Sequence, residues 1–198
     1  MSAAVIKYDQ GMGRWEPNAR GRLERAAVEL YVERGFEQTT VAEIAERAGL
    51  TERTFFRYFT DKREVLFWGA GALQELIVGA LTSALESAAP MDAVAAALEA
   101  AGAAMQERRD SAPQRQAVIA ANPDLQEREL IKLASLAAAM AAVLRQHGVK
   151  DPAASLTAQA GIAVFHVAFE RWISDTSQDL PRIIRESLAE LRAVTAAG

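Results

Sequence analysis

Arg53 and Arg57 stand four residues apart, so on a helix turning about 100° per residue their guanidiniums share one face. Phe55 and Phe59 fall on the opposite face, where they must be buried against neighbouring helices. Thr54, Phe56 and Tyr58 flank the arginine pair. Such a set suits a DNA major groove. Arginine forks onto guanine O6 and N7, threonine or phenylalanine touches a thymine methyl, and tyrosine reaches a phosphate. A solvated charged face on an ordinary helical hairpin would carry the same two arginines. The elements that hold the pair weigh against that plainer reading.

Those elements run from Thr39 to Leu66, TTVAEIAERAGLTERTFFRYFTDKREVL. Thr40 is an N-cap residue, and Glu43 three positions later completes a capping box. Val41, Ile44, Ala45 and Ala48 then form one apolar face, with Glu46 and Arg47 outside it. Gly49 stands where a helix ends on a residue with positive φ, Leu50 supplies the apolar contact that follows, and Thr51 caps the next helix. A short helix, a glycine-containing turn and a second short helix make a helix-turn-helix. Upstream, Leu23, Ala26, Ala27, Leu30 and Tyr31 recur at i, i+3, i+4, i+7 and i+8, an amphipathic helix from Asn18 that Gly35 ends. Phe36 folds back onto its last turn, and this helix forms the third wall of a small core.

The stretch Leu23 to Leu66, above all ERGFEQTTVAEIAERAGLTERTFFRYFTDKREVL, resembles the DNA-binding domain of the TetR family of bacterial transcriptional repressors. The resemblance covers about the first third of the chain. The family pattern usually has a small residue or lysine where Arg53 stands and tyrosine where Phe56 stands, so the base preference departs from it. Residues and resemblance together name a candidate DNA-binding set: Thr40, Arg53, Thr54, Phe56, Arg57, Tyr58 and Lys62. Lys62 enters because it resembles the family's phosphate-contacting lysine.

The whole chain has 198 residues, 51% apolar and 24% charged, with a formal net charge of −4. That acidity looks wrong for a DNA binder until it is divided. Residues 1–64 hold 11 Lys+Arg and 11 Asp+Glu, whereas residues 65–198 hold 11 and 15. Attraction to DNA must therefore come from local clustering: Lys7, Arg14, Arg20, Arg22 and Arg25 near the first helix, and Arg53, Arg57, Lys62 and Arg63 around the second motif helix. There is no cysteine, which removes disulfides, thiolate metal sites and thiol redox sensing and fits a cytoplasmic location. Met1 to Met12 has no apolar core of a secretory signal, and no uninterrupted apolar run approaches 18 residues, so no membrane partner is expected.

Three segments follow. Residues 1–17 read as a flexible arm, punctuated by Gly11, Gly13 and Pro17, with Lys7, Arg14 and Trp15 giving it a basic, aromatic character. It either reaches toward DNA or has no role. Residues 18–66 form the helix-turn-helix domain. Residues 67–198 form a ligand-binding and dimerisation domain that is helical throughout. A helix from Asp61 to Glu86 joins the two and is the natural lever, with Trp68, Leu73 and Ile77 on its inner side. Pro90, Pro113, Pro123, Pro152 and Pro181 mark further helix starts and predict helices over 91–109, 113–121, 123–147, 152–175 and 179–196. The expected fold class is all-α.

In 153–175, Leu156, Ile162, Val164, Phe165, Val167, Phe169, Trp172 and Ile173 cover nearly the whole helix circumference. One side can be covered from within a domain of this size, and the other needs a partner. Ala160, Gly161, Ala163 and Ala168 allow close approach, and Leu180, Ile184, Leu188 and Leu191 form a stripe on the last helix. The expected dimer interface is Ala160, Gly161, Val164, Ala168, Trp172, Ile184, Leu188 and Leu191, joined in a four-helix bundle of two subunits. Resemblance to TetR proteins implies the same homodimer.

A regulator of this type senses a small molecule. Candidate effector-binding residues are Trp68, Met91, Met105, His166 and Phe169, with Arg108, Arg109 and Arg115 near an opening. Each taken alone fits a core role as well, and His166, amid Val164, Phe165 and Val167, fits a satisfied core histidine. A helical enzyme or adaptor with a small-molecule pocket and no operator is the alternative. Against an enzyme, the chain has no cysteine nucleophile and no GxSxG, P-loop, GxGxxG or HExxH motif, and its two histidines are far apart. No catalytic residue, cofactor or metal is expected. The resulting expectation is a homodimeric repressor that binds a pseudo-palindromic operator in double-stranded DNA and leaves it when a small apolar effector binds.

Overall fold

The computed structural model describes residues 18–175 and 177–196. The arm expected over residues 1–17 lies outside the described residues. Among them the chain is all-α. Three helices, α1 (Ala19–Arg34), α2 (Val41–Arg47) and α3 (Glu52–Tyr58), precede six more: α4 (Ala70–Ala84), α5 (Pro90–Met105), α6 (Ala112–Ala120), α7 (Pro123–Gln146), α8 (Ala153–Ser174) and α9 (Leu180–Ala196). The prolines act as the sequence predicts. Pro90, Pro113 and Pro123 sit in the first two positions of α5, α6 and α7, where a missing N–H costs nothing.

The long helix expected from Asp61 to Glu86 is instead broken. Residues Glu64–Phe67 form a 3-10 turn, and α4 begins only at Ala70. The Asp61 carboxylate accepts the N–H groups of Arg63 and Glu64, which starts the turn. The Leu66 carbonyl, which would continue an α-helix, accepts the Arg115 Nε–H at 2.7 Å. By length and composition the stretch Glu64–Ala84 could cross a membrane, contrary to expectation, although Glu64, Gln74, Glu75, Thr82 and Ser83 interrupt its apolar residues. In the fold this stretch behaves as a core element, with Ile77 and Leu81 fully buried.

Two hydrophobic cores result. The larger joins α4, α5, α7, α8 and α9 around Leu98, Met140, Leu144 and Trp172. At Gly161 of α8 an added Cβ would lie 2.6 Å from Val94 Cγ1 and 3.2 Å from Met140 Cε, so this glycine lets α8 close on α5 and α7. Gly102 of α5 does the same against Ile184 and Leu180 of α9.

The expected dimer stripe is thereby corrected. Gly161, Val164, Ala168, Trp172, Ile184 and Leu188 are buried inside one subunit, and Ala160 and Leu191 are half-buried. The side of α8 left in solvent carries Leu156 (66% exposed), Ala163 and Val167 (49% exposed).

The smaller core is built by α1, α2, α3 and the 3-10 turn. It also takes in Val118 and Ile119 of α6 and Leu125 of α7. Phe67 and Trp68 pack here rather than in the larger core, so the boundary expected at residues 66 and 67 falls inside a packed cluster.

Candidate DNA-binding site

The motif is assembled by local hydrogen bonds that close each helix end. Thr40 Oγ1 accepts the Glu43 N–H at 3.2 Å, and Glu43 Oε2 accepts the Thr40 N–H at 2.8 Å, which is the reciprocal capping box. Those bonds hold the Glu43 carboxyl below the usual carboxylate range, so the box stays ionised near neutral pH. At the other end of α2, Gly49 takes φ 65°. The Leu50 N–H reaches the Ala45 carbonyl and the Gly49 N–H reaches that of Glu46, both at 2.8 Å. This is a Schellman ending, and a Cβ at Gly49 would lie 2.7 Å from Arg22 Nη2. Thr51 then accepts the Thr54 N–H at 3.2 Å and starts α3.

Phe55 is fully buried and Phe59 nearly so, their ring centroids 5.3 Å apart, which fixes the roll of α3 about its axis. Arg53, Phe56 and Arg57 consequently face solvent, Phe56 at 55% exposure. An exposed phenylalanine between two exposed arginines is costly in water and suits a surface that is covered when the protein works. Thr54 and Tyr58 are half-buried at the edges of this face, and the Tyr58 oxygen accepts from Arg57 Nη2 at 3.2 Å. Thr40 is exposed at the start of α2. Three acids of the domain are paired away from this face: Arg47 holds Glu33 at 2.8 Å and Glu29 at 3.4 Å, and Arg34 holds Glu43 at 2.8 Å.

Lys62 is a correction. Its ammonium donates to the carbonyls of Phe36 at 2.8 Å, Thr39 at 3.1 Å and Glu37 at 3.3 Å, and it lies 4.3 Å from the Phe36 ring centroid. An ammonium has three protons, and all three are spent on the α1–α2 loop. The Tyr31 hydroxyl donates to the Lys62 carbonyl at 2.7 Å, and burial pushes the Tyr31 pKa well above its usual value. Lys62 is thus a clamp between loop and 3-10 turn. Lys62→Met should cost about 1.5–3 kcal/mol of stability, the range for hydrogen bonds to a charged group. Denaturant unfolding measures that cost. The salt dependence of DNA binding should keep its slope, and a slope lower by about one ion would restore the phosphate role.

The expected effector residues do not converge. Trp68 lies between α1 and the end of α5, its Nε1–H on the Glu24 carboxylate. His166 is exposed and 3.8 Å from Glu170 one turn on, so it belongs neither to a pocket nor to the core. Met91 and Met105 sit at opposite ends of α5, about 21 Å apart at 1.5 Å per residue. Phe169 is half-buried and stacks between Phe165 and Trp172.

The three arginines expected near an opening are structural. Arg115 holds the Leu66 carbonyl and Glu129, Arg109 holds the carbonyls of Trp172, Asp175 and Gln178, and Arg108 lies on the Trp68 ring. Two concavities are open to solvent. A cleft of about 250 Å³ is lined by Arg20, Tyr58, Phe59, Thr60, Glu64 and Trp68. A groove of about 520 Å³ between α5 and α9 is flanked by the ion pairs Arg185–Glu99 and Arg192–Asp92. The sequence reading counts Arg20 as one more basic residue near α1. No spacing rule pairs position 20 with 58 and 68, yet its guanidinium lies between those two rings.

Comparison with known proteins bears on both halves. Residues 24–67 match the family model described as bacterial regulatory proteins, tetR family, and residues 88–196 match that of the MftR C-terminal domain. The HTH-type transcriptional regulator TcmR of Streptomyces glaucescens is 38% identical over 81 residues, which are 41% of this chain and 36% of TcmR. The chain thus spans about a third of that relative. The transcriptional regulator MftR of Mycobacterium tuberculosis is 28% identical over 179 residues, 88% of this chain and 90% of MftR. The crystal structure of the transcriptional regulator FadR from Bacillus subtilis with stearoyl-CoA superposes with a TM-score of 0.56. It is 18% identical, over 85% of this chain and 95% of that one.

Proposed function

The chain belongs to the TetR family of bacterial regulatory proteins, and on that premise we propose that it is a cytoplasmic homodimeric repressor acting on a pseudo-palindromic operator. The observation that carries this reading is the outward face of α3. Arg53, Phe56 and Arg57 are held in solvent by a helix whose other side, Phe55 and Phe59, is buried. Residues 18–68 would contact DNA. Residues 70–196 would sense the effector and join the subunits, with α4 as the lever between them in place of a helix running unbroken from Asp61. Two recognition helices must sit about 34–36 Å apart to enter successive major grooves on one side of the duplex. Selection of bound sequences from random DNA tests the reading. Enrichment of an inverted repeat at that spacing is expected, and a pool with no enriched sequence rejects it.

Dimerisation is proposed through the outer side of α8. Leu156, Ala163 and Val167 recur at i, i+7 and i+11, and none of the described residues buries them. Val167→Asp should raise the dimer dissociation constant about a hundredfold, or about 2.8 kcal/mol, while the subunit stays folded because the position is half exposed. Light scattering against concentration reads this directly. An unchanged dimer would move the interface off this face.

The effector is proposed to be small and apolar and to bind within the regulatory half, whose helices pack around the larger core. The stearoyl chain in the Bacillus subtilis FadR complex makes acyl thioesters a reasonable first group to screen. An effector that favours the wrong half-site spacing by about 1.4–2.8 kcal/mol weakens DNA tenfold to a hundredfold, and by linkage operator DNA weakens the effector equally. Calorimetry with and without operator decides this, since an unchanged effector affinity would exclude release by coupling.

A further inference from the structure

The recognition helix is joined to the regulatory domain by a stack of alternating cations and rings. Arg57 Cζ on α3 lies 4.9 Å from the Tyr58 ring centroid. On the same ring lies Arg20 of α1, with Cζ at 5.5 Å, and Arg20 is also 5.2 Å from the Trp68 ring. Arg108, in the 3-10 turn that ends α5, completes the stack 4.5 Å from Trp68. Glu24 accepts from both Trp68 Nε1 and Arg108 Nη1, so the last step is pinned by a carboxylate as well as by the ring face. Gly69 is part of the fit, because a Cβ there would lie 3.3 Å from Arg108 Nη1.

The stack adds a second tie to the one the smaller core makes. Phe55 and Phe59 share that core with Val118, Ile119 and Leu125 of α6 and α7, whereas the stack runs from the C-terminal end of α3 to the end of α5. Each step joins a rigid planar cation to a rigid ring, which transmits orientation with little loss because few torsions lie between them.

We propose that Arg20, Trp68 and Arg108 are positioning residues for operator binding, setting the pose of α3 on the regulatory domain through this stack. The proposal rests on the operator reading above. Among the described residues Arg108 makes no hydrogen bond or ion pair with α3, so an effect of its side chain on DNA travels through Trp68 and Arg20 or through Glu24 of α1.

The test uses the full-length protein and the operator sequence obtained by selection. Arg108→Met keeps the aliphatic stem and removes the cation, and Arg108→Lys restores a cation over the ring. Arg108→Met should weaken the operator about threefold to tenfold with the melting temperature nearly unchanged, and Arg108→Lys should recover most of it. Trp68→Phe should bind nearly as the parent does, and Trp68→Leu should lose as much as Arg108→Met. Combined with Arg20→Met, Arg108→Met should cost less than it does alone, because removing Arg20 opens the stack between Tyr58 and Trp68; independent residues would multiply. Operator affinity unchanged in Arg108→Met, lysine no better than methionine, or strictly multiplicative losses would each overturn the proposal while leaving the operator reading intact. If the parent protein enriches no sequence at all, the operator reading falls, and the positioning role falls with it.

Discussion

Trp172→Ala should destabilise the protein by about 3–5 kcal/mol, the usual cost of emptying a large aromatic site in a core. Trp172 is 1% exposed, 5.7 Å from the Phe169 ring, and covered on another side by the Arg109 guanidinium at 5.1 Å. Its environment adds a second expectation. The indole Nε1–H is buried with no hydrogen-bond partner among the described residues, so the ring is held by packing and by the Arg109 cation and not by its own donor. Trp172→Phe, which removes that orphan donor and retains most of the volume, should therefore cost less than about 1.5 kcal/mol. Urea unfolding of both variants measures the pair. A phenylalanine variant as unstable as the alanine one would show that the donor has a partner in solution. An alanine variant within about 1 kcal/mol of the parent would place Trp172 outside the core.

Arg53→Ala and Arg57→Ala should each cost about 1–3 kcal/mol in operator affinity and relax the base preference at one position of each half-site. The size follows from a guanidinium forking onto guanine, and the loss of preference is what separates a base contact from a phosphate contact. The two need not be equal. Arg57 is already engaged with Tyr58, by a 3.2 Å hydrogen bond and by its place over the ring, so part of its gain on DNA is offset by what it leaves. Arg53 makes no hydrogen bond or ion pair among the described residues and starts with no such debt. Binding measured against a panel of single-base operator variants decides the assignment. Equal weakening on every sequence would make the arginines phosphate clamps.

What was legible in the sequence was what short range determines. Thr40 with Glu43, Gly49 with Leu50, and Thr51 with Thr54 each fix a helix end within a few residues, and each has the bonds its spacing implies. The prolines likewise mark helix starts without reference to anything distant. The outward turn of Arg53 and Arg57 follows from the burial of Phe55 and Phe59, two positions on the same helix. The errors begin where a residue's partner is far along the chain. Lys62 looks like a surface cation until the carbonyls of Phe36, Glu37 and Thr39 come beside it. On α8, apolar residues on both sides give no sign of which side faces inward. The contact that decides it is Gly161 against Val94, 67 positions away. Trp68 follows the motif by only a few residues, yet its partners Glu24 and Arg108 lie 44 and 40 positions distant in opposite directions.

The smaller core has a bearing on how the protein is made. Val118, Ile119 and Leu125 belong to it, and Arg115 and Arg128 fasten the 3-10 turn from the same region. A nascent chain that has just delivered Leu66 still lacks the 59 residues up to Leu125. At about 5–20 residues per second the ribosome takes roughly 3–12 s to supply them. For that interval the helix-turn-helix has its caps and the side of the 3-10 turn that α1 covers, but not the side that Val118, Ile119 and Leu125 close. The part of the molecule that reads DNA is synthesised before the regulatory half, but its packing can be completed only after the chain has emerged well into that half.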